Sequence, residues 1–220
     1  MKPIRPILLL TLALAATPAL AQQDLDEISR DITARAGQSY GSLETVSGDI
    51  RIEAGARTRS ASTVSGDIHV AQDATTGGLE TVSGDIHAGG KVSADGDVES
   101  VSGDIFFDRG GSVRGDVDSV SGDIGLVGTR VGGGLETVSG DITVGVGSHV
   151  RGGIKIEKNE NGSSMQWGHP PRIVIGPNAV VEGPMVFERP VVLYVHKTAK
   201  IGRVSGATAK IFDTPTAPKD

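Results

Sequence analysis

Six aspartates occupy the same place in a motif, Val-Ser-Gly-Asp-Ile, that recurs every 18 or 19 residues: Asp49, Asp67, Asp85, Asp104, Asp123 and Asp141. In stacked repeats these carboxylates would lie about 4.8 Å apart, and each neighbouring pair would repel by roughly 1 kcal/mol even in water. Either backbone N–H groups of the same Ser-Gly-Asp corner compensate the charge, or calcium binds between coils, since hard cations prefer carboxylate oxygens.

A second acidic column precedes each motif by two residues, and Ser62 replaces the acid in one repeat. Its members are Glu44, Glu80, Glu99, Asp118 and Glu136. Whether the two acidic columns face the same way depends on the shape of the corner between them.

Two histidines, His69 and His87, lie 18 residues apart, each two residues after a column aspartate. We expect them to stack on one outward face beside Asp67 and Asp85. Two imidazoles and two carboxylates are a ligand set for a transition metal. The alternative is that both are unrelated surface histidines.

The third candidate is a segment with the chain's single tryptophan, where Trp167 has Gln166 and His169 as neighbours. Loops on rigid scaffolds often carry function, so these side chains could form a ligand platform. The alternative is that Trp167 folds back over an exposed flank of the core.

The elements that position these residues follow from the repeat. A fixed period near 20 residues is typical of stacked repeat architectures. The isoleucine after each aspartate extends into a column of ten aliphatic residues: Ile32, Ile50, Ile68, Ile86, Ile105, Ile124, Ile142, Ile173, Val192 and Ile211. A Gly-x-aliphatic column keeps the same steps, including the long one of 31 residues, so we count ten coils.

Within a coil, apolar and polar residues alternate over only a few positions before the alternation breaks, which indicates corners between short strands. Three short strands with Gly-rich corners fit 18 or 19 residues. The predicted fold is therefore an all-β, single-stranded parallel β-helix (a β-solenoid) of about ten coils. Its handedness stays open.

The predicted boundaries begin with a signal peptide at residues 1–21. Lys2 and Arg5 form its basic region, a short apolar core follows, and cleavage is expected after Ala21. Residues 22–27 are an N-terminal cap, 28–213 the solenoid, 157–172 an inserted loop, and 214–220 a tail and second candidate cap. The processed chain would be periplasmic, secreted or on the cell surface.

The amino-acid composition excludes several kinds of site and argues against one class of partner. The chain has no cysteine, which excludes disulfides, thiolate metal sites and cysteine nucleophiles. Without Lys2 and Arg5, 19 basic residues face 27 acidic ones, which argues against nucleic acid as a partner. No second apolar run is long enough to span a membrane.

The Val-Ser-Gly-Asp-Ile repeats, over about residues 28 to 154, resemble a bacterial β-strand-repeat family of unknown function that is often labelled as adhesins. The segment Ile175–Gly183, echoed by Ala199–Gly202, is similar to hexapeptide and bactofilin-type β-helix repeats. Both resemblances imply a β-helix, and neither brings catalytic residues. The adhesin label implies binding at the cell surface or envelope.

We therefore expect a non-enzymatic, exported β-solenoid that acts as a binding or structural protein of the cell envelope, with no cofactor unless the aspartates bind calcium. Its partner would be an envelope glycan or protein, or a second copy of itself. The alternative is a polymer-forming, bactofilin-like scaffold. A solenoid enzyme acting on polysaccharide is less favoured, because only seven aromatic residues are available to stack on sugars.

Overall fold

The computed structural model describes residues 23–158 and 169–219, and these form a parallel β-solenoid without helices. Each coil contributes one strand to each of two sheets, and seven short strands form a third sheet; all strands pair in parallel with strands of the neighbouring coils. The predicted all-β solenoid of about ten coils is confirmed.

The first sheet, sheet A, contains the acidic column and has ten strands: β1 (Gln23–Glu27), β3 (Tyr40–Thr45), β5 (Ser60–Thr63), β8 (Gly78–Thr81), β11 (Val98–Ser100), β14 (Val117–Ser119), β17 (Leu135–Thr137), β20 (Ile154–Ile156), β23 (Met185–Phe187) and β26 (Val204–Ser205).

Sheet B follows the Ser-Gly-Asp corner and also has ten strands: β2 (Ile32–Ala34), β4 (Ile50–Ile52), β6 (Ile68–Val70), β9 (Ile86–Ala88), β12 (Ile105–Phe107), β15 (Ile124–Leu126), β18 (Ile142–Val144), β21 (Arg172–Ile175), β24 (Val192–His196) and β27 (Ala209–Phe212).

Sheet C closes the triangle with seven short strands: β7 (Thr75–Thr76), β10 (Ser93–Ala94), β13 (Ser112–Val113), β16 (Arg130–Val131), β19 (His149–Val150), β22 (Val180–Val181) and β25 (Lys200–Ile201).

Two glycine positions set the corners. At the motif glycine the coils approach so closely that a Cβ on Gly103 would lie 1.8 Å from the carbonyl oxygen of Gly84. The turn between sheets B and C instead requires a left-handed residue, with a φ of 67° at Gly55, 59° at Asp73 and 60° at Lys91. The first corner thus excludes every side chain, whereas the second selects for backbone conformation.

The core consists of several columns of mostly aliphatic side chains that run along the inside of the tube as one continuous cluster. The Gly-x-aliphatic column is aligned as predicted, from Leu43 and Leu79 to Met185 and Val204, and Ala61 occupies its place in the coil that contains β5, where the column's glycine is absent. The isoleucine column pairs as predicted from Ile32 to Ile173.

The last two members of that column were predicted wrongly. Ile173 pairs with Leu193, and Leu193 pairs with Ala209, so Val192 and Ile211 are not in the column. The coil after Ile173 is one residue longer than the repeat suggested, and a one-residue shift sends the neighbouring side chain to the other face. Leu193 is accordingly buried, whereas Val192 is half-buried.

Both segments expected to cap the solenoid have defined positions. The predicted N-terminal cap is largely β1, the edge strand of sheet A. The tail lies along the outer face of sheet B, where Ala217 packs against a cluster of Val174, Tyr194 and Phe212.

The predicted signal peptide lies outside the described residues, and so does much of the inserted loop, which falls between β20 and β21. Within the described ranges, none of the chain forms a helix of the length and hydropathy that a membrane crossing requires.

Candidate functional site

The aspartate column forms a ladder of hydrogen bonds between coils. The Oδ1 atom of each aspartate accepts a hydrogen bond from the backbone N–H of the next coil's aspartate, as in Asp85 to Asp104 at 2.8 Å. The ladder starts at Asp31, whose carboxylate accepts from Asp49, and ends at Asp141, which accepts from Arg172. We had expected the backbone donor to belong to the aspartate's own Ser-Gly-Asp corner. It belongs instead to the next coil.

This bonding gives the stacked carboxylates compensation from the backbone. Over residues 23–158 and 169–219, no group of three or more His, Asp or Glu side chains is arranged to hold a metal ion. Calcium binding by Asp49, Asp67, Asp85, Asp104, Asp123 and Asp141 stays a prediction.

The two histidines lie next to each other on the outer face of sheet B, as their spacing predicted, with their rings tilted by 57°. The ring centroids of His69 and His87 are 6.4 Å apart, and the ring of Phe106 stacks on that of His87 with the centroids 5.1 Å apart. Nε2 of His69 is 4.0 Å from a carboxylate oxygen of Asp67. Metal binding at this row stays a prediction.

The tryptophan platform cannot be placed as a unit. Trp167 and Gln166 lie outside the described residues, while His169 is exposed at the start of the segment that leads into β21.

The second acidic column is in register and lines a groove on the outer face of sheet A. Glu80, Glu99, Asp118 and Glu136 pair along the sheet, and their side chains point outward. Ser62 continues the row towards Glu44, as predicted. These outward acids form what we call the acidic row.

Sequence reasoning missed the companion of the acidic row. The first residue of the motif is an exposed valine, and Val101 and Val120 are 44% and 46% exposed. Each lies two residues after a member of the acidic row, on the same side of the chain. Acids and valines together line a groove of about 370 Å³. The recurrence of valine was visible in the sequence, but its exposure depends on the corner.

The acidic row has a distinctive electrostatic environment at its centre. Burial, followed by the nearby charges of Asp116, Glu136, Glu99 and Asp97, raises the pKa of Asp118 from 3.8 to about 6. Asp118 is therefore part of a site where negative charge is poorly compensated.

A lysine side chain lies at the end of this row. Lys155 follows Glu136 on the next strand, and its Nζ donates to Glu136 at 3.0 Å and also to Glu157. Hydrogen bonding to both carboxylates raises the pKa of Lys155, and the Lys155 ammonium lowers that of Glu157. The Lys155 ammonium thus bonds two carboxylates, those of Glu136 and Glu157, that line the groove.

Comparison with known proteins gives a family match. Two overlapping segments, residues 22–107 and 42–162, match the family model described as Toastrack DUF4097, and together they cover more than half of the chain. No curated protein matches the chain, and no solved structure does.

Proposed function

The chain belongs to the Toastrack DUF4097 family, a β-solenoid family of unknown function, and we propose that it is a non-catalytic binding rod of the cell envelope. The groove formed by the acidic row and the exposed valines would bind an extended envelope component that carries amino groups. This proposal includes export, which the basic and apolar pattern of residues 1–21 supports.

The observation that carries the proposal is the pairing of acids and valines along several coils. Glu99, Asp118 and Glu136 occupy successive rungs, with exposed valines beside them. A ligand with regularly spaced cations and apolar stems would lower the repulsion among the acids and cover the valines. Amino-bearing glycans and lysine-rich protein segments both have this chemistry.

The test is co-sedimentation of the purified chain with cell-wall glycan from a bacterium, and separately with its solubilised envelope proteins. Neutralising the centre of the groove with Glu99→Gln and Asp118→Asn should weaken binding at least about tenfold. The matched control is Glu44→Gln, which changes the same row outside the groove.

Equal binding by the double variant and the wild type would contradict the groove as the site. Absence of binding to both fractions would contradict the binding function itself. Circular dichroism should show that the variants keep the β-solenoid.

One observation favours a second candidate, an enzyme acting on polysaccharide. Asp118, with its pKa near 6, has the property of a general acid, and Glu99 and Glu136 flank it. Incubation with the glycan that binds best, followed by product analysis, separates the two functions, because a binding rod releases no fragments.

A further inference from the structure

Within residues 23–158 and 169–219, no segment covers the C-terminal end of the rod. In the last coil Ile211 is 66% exposed, although it pairs with the buried Val195 of the preceding strand in sheet B, β24. Ile201 and Val204 are only half-buried in the same coil. The strands of this coil, β25, β26 and β27, are the edges of the three sheets. Exposed edges of this kind readily pair with another chain.

The tail does not protect this end. It turns back along the outer face of sheet B, where an Nη atom of Arg172 donates a hydrogen bond to the carbonyl oxygen of Pro218 at 2.7 Å. Ala217 packs beside Val174 and Tyr194, which belong to the two preceding coils. Residues 214–219 are therefore fixed on the side of the rod and leave the end open.

The two ends carry opposite charge. Residues 197–213 hold four basic side chains and one acid, and the acid, Asp213, lies 3.6 Å from Lys197. Residues 23–35 hold four acids and two basic side chains. This complementarity favours contact between opposite ends and disfavours contact between two C-terminal ends.

We propose that copies of this chain associate head to tail, with the C-terminal coil of one rod seated on the N-terminal coil of a second copy. This arrangement continues parallel pairing, because the strands of both rods run in the same direction. It places Val204 of one copy next to Leu25 of the other in the inward column of sheet A, and it covers Ile211. A contact between different ends does not close on itself, so it extends into filaments. The inference does not depend on the groove.

The experiment is sedimentation velocity of the purified full chain over a concentration series, with electron microscopy of the most concentrated samples. We expect the mean mass to rise with concentration. One variant blocks the C-terminal end with Lys200→Glu and Arg203→Glu. A second blocks the N-terminal end with Asp26→Lys and Glu27→Lys.

Each blocked variant alone should associate at least about tenfold more weakly than the wild type. An equimolar mixture should recover association, because the unchanged C-terminal end of one variant meets the unchanged N-terminal end of the other, and the two charge-reversed ends are complementary as well. Ile211→Lys should also prevent association, while Val64→Lys, at a side position of 45% exposure, should not.

A wild-type chain that stays monomeric at every concentration would overturn the proposal. Dimers that persist when only the N-terminal end is blocked would also overturn it, because they would identify contact between two C-terminal ends. These results leave glycan binding by the groove unaffected.

Discussion

The glycine of each Val-Ser-Gly-Asp-Ile motif lies where two coils come too close for any side chain. In the Gly103→Ala variant, the new Cβ would meet the Gly84 carbonyl oxygen at 1.8 Å, so both backbones would have to move. We expect a loss of about 3 kcal/mol in the free energy of unfolding, measured by urea denaturation.

The matched control is Gly55, where the φ of 67° is unusual but no atom lies within 4 Å of a new Cβ. Gly55→Ala should cost only about 1 kcal/mol, from the left-handed backbone alone. Similar losses for the two variants would contradict the distinction between close approach and conformation.

Asp118 gives the chain a pH-dependent stability. Its pKa is about 6 in the folded protein and 3.8 when unperturbed, so between these values the folded state binds more protons than the unfolded state. The contribution of this residue to stability therefore falls as the pH rises through that interval.

Asp118→Asn should accordingly raise the free energy of unfolding above pH 6, and this gain should vanish below pH 3.8. Urea denaturation at both extremes measures the difference, with Glu44→Gln as the control from the same row. A gain that is equal at both pH values would indicate a packing effect instead.

At the scale of the strand, the register of β24 determines which of two neighbouring aliphatic residues faces the core. Leu193 is 1% exposed, whereas Val192 lies on the other face of the strand and is half-buried. Leu193→Ala should destabilise the protein by about 2–5 kcal/mol, and Val192→Ala by about 1 kcal/mol. Thermal denaturation of the two variants checks the register, and a larger loss at Val192 would contradict it.

The aspartate ladder and the acidic row belong to the same strand–corner–strand element but differ in how their carboxylates are hydrogen-bonded. Each ladder carboxylate accepts a backbone N–H of the next coil, as Asp67 does from Asp85 at 2.9 Å. Among the described residues, no regular series of backbone donors faces the acidic row, and Lys155 pairs with its last member, Glu136. The ladder therefore stabilises the stack, while the row remains available for a ligand.

At the scale of the whole molecule, each coil contacts mainly the coils before and after it, so the rod should tolerate the loss of one complete repeat. Deleting residues 64–81 joins Thr63 to Val82, which reproduces the natural junction of Thr81 with Val82. We expect a folded solenoid with the same β circular dichroism per residue and a modestly lower melting temperature.

The control deletion removes half a coil, residues 64–72, and moves every later strand out of register. This variant should lose its cooperative thermal transition. A full-coil deletion that unfolds the chain as completely would contradict the nearest-neighbour description of stability.

The sequence alone determined the β-solenoid, the number of coils and the register of most strands. It could do so because a stacked repeat brings each residue next to its counterpart one period later, so the spacing in sequence is also the spacing in space. For the same reason, the stacks of aspartates, of acids and of His69 on His87 were all predictable.

Only the tertiary structure decided the features that depend on exact corner geometry or on a broken repeat. The exposure of Val101 and Val120 follows from how tightly the Ser-Gly-Asp corner turns. The register of Leu193 and the position of the tail lie beyond the inserted segment, where the period no longer constrains the chain. Where the repeat period is kept, it determines which residues of neighbouring coils pair. Where the period is broken, local packing against the neighbouring coil determines the register.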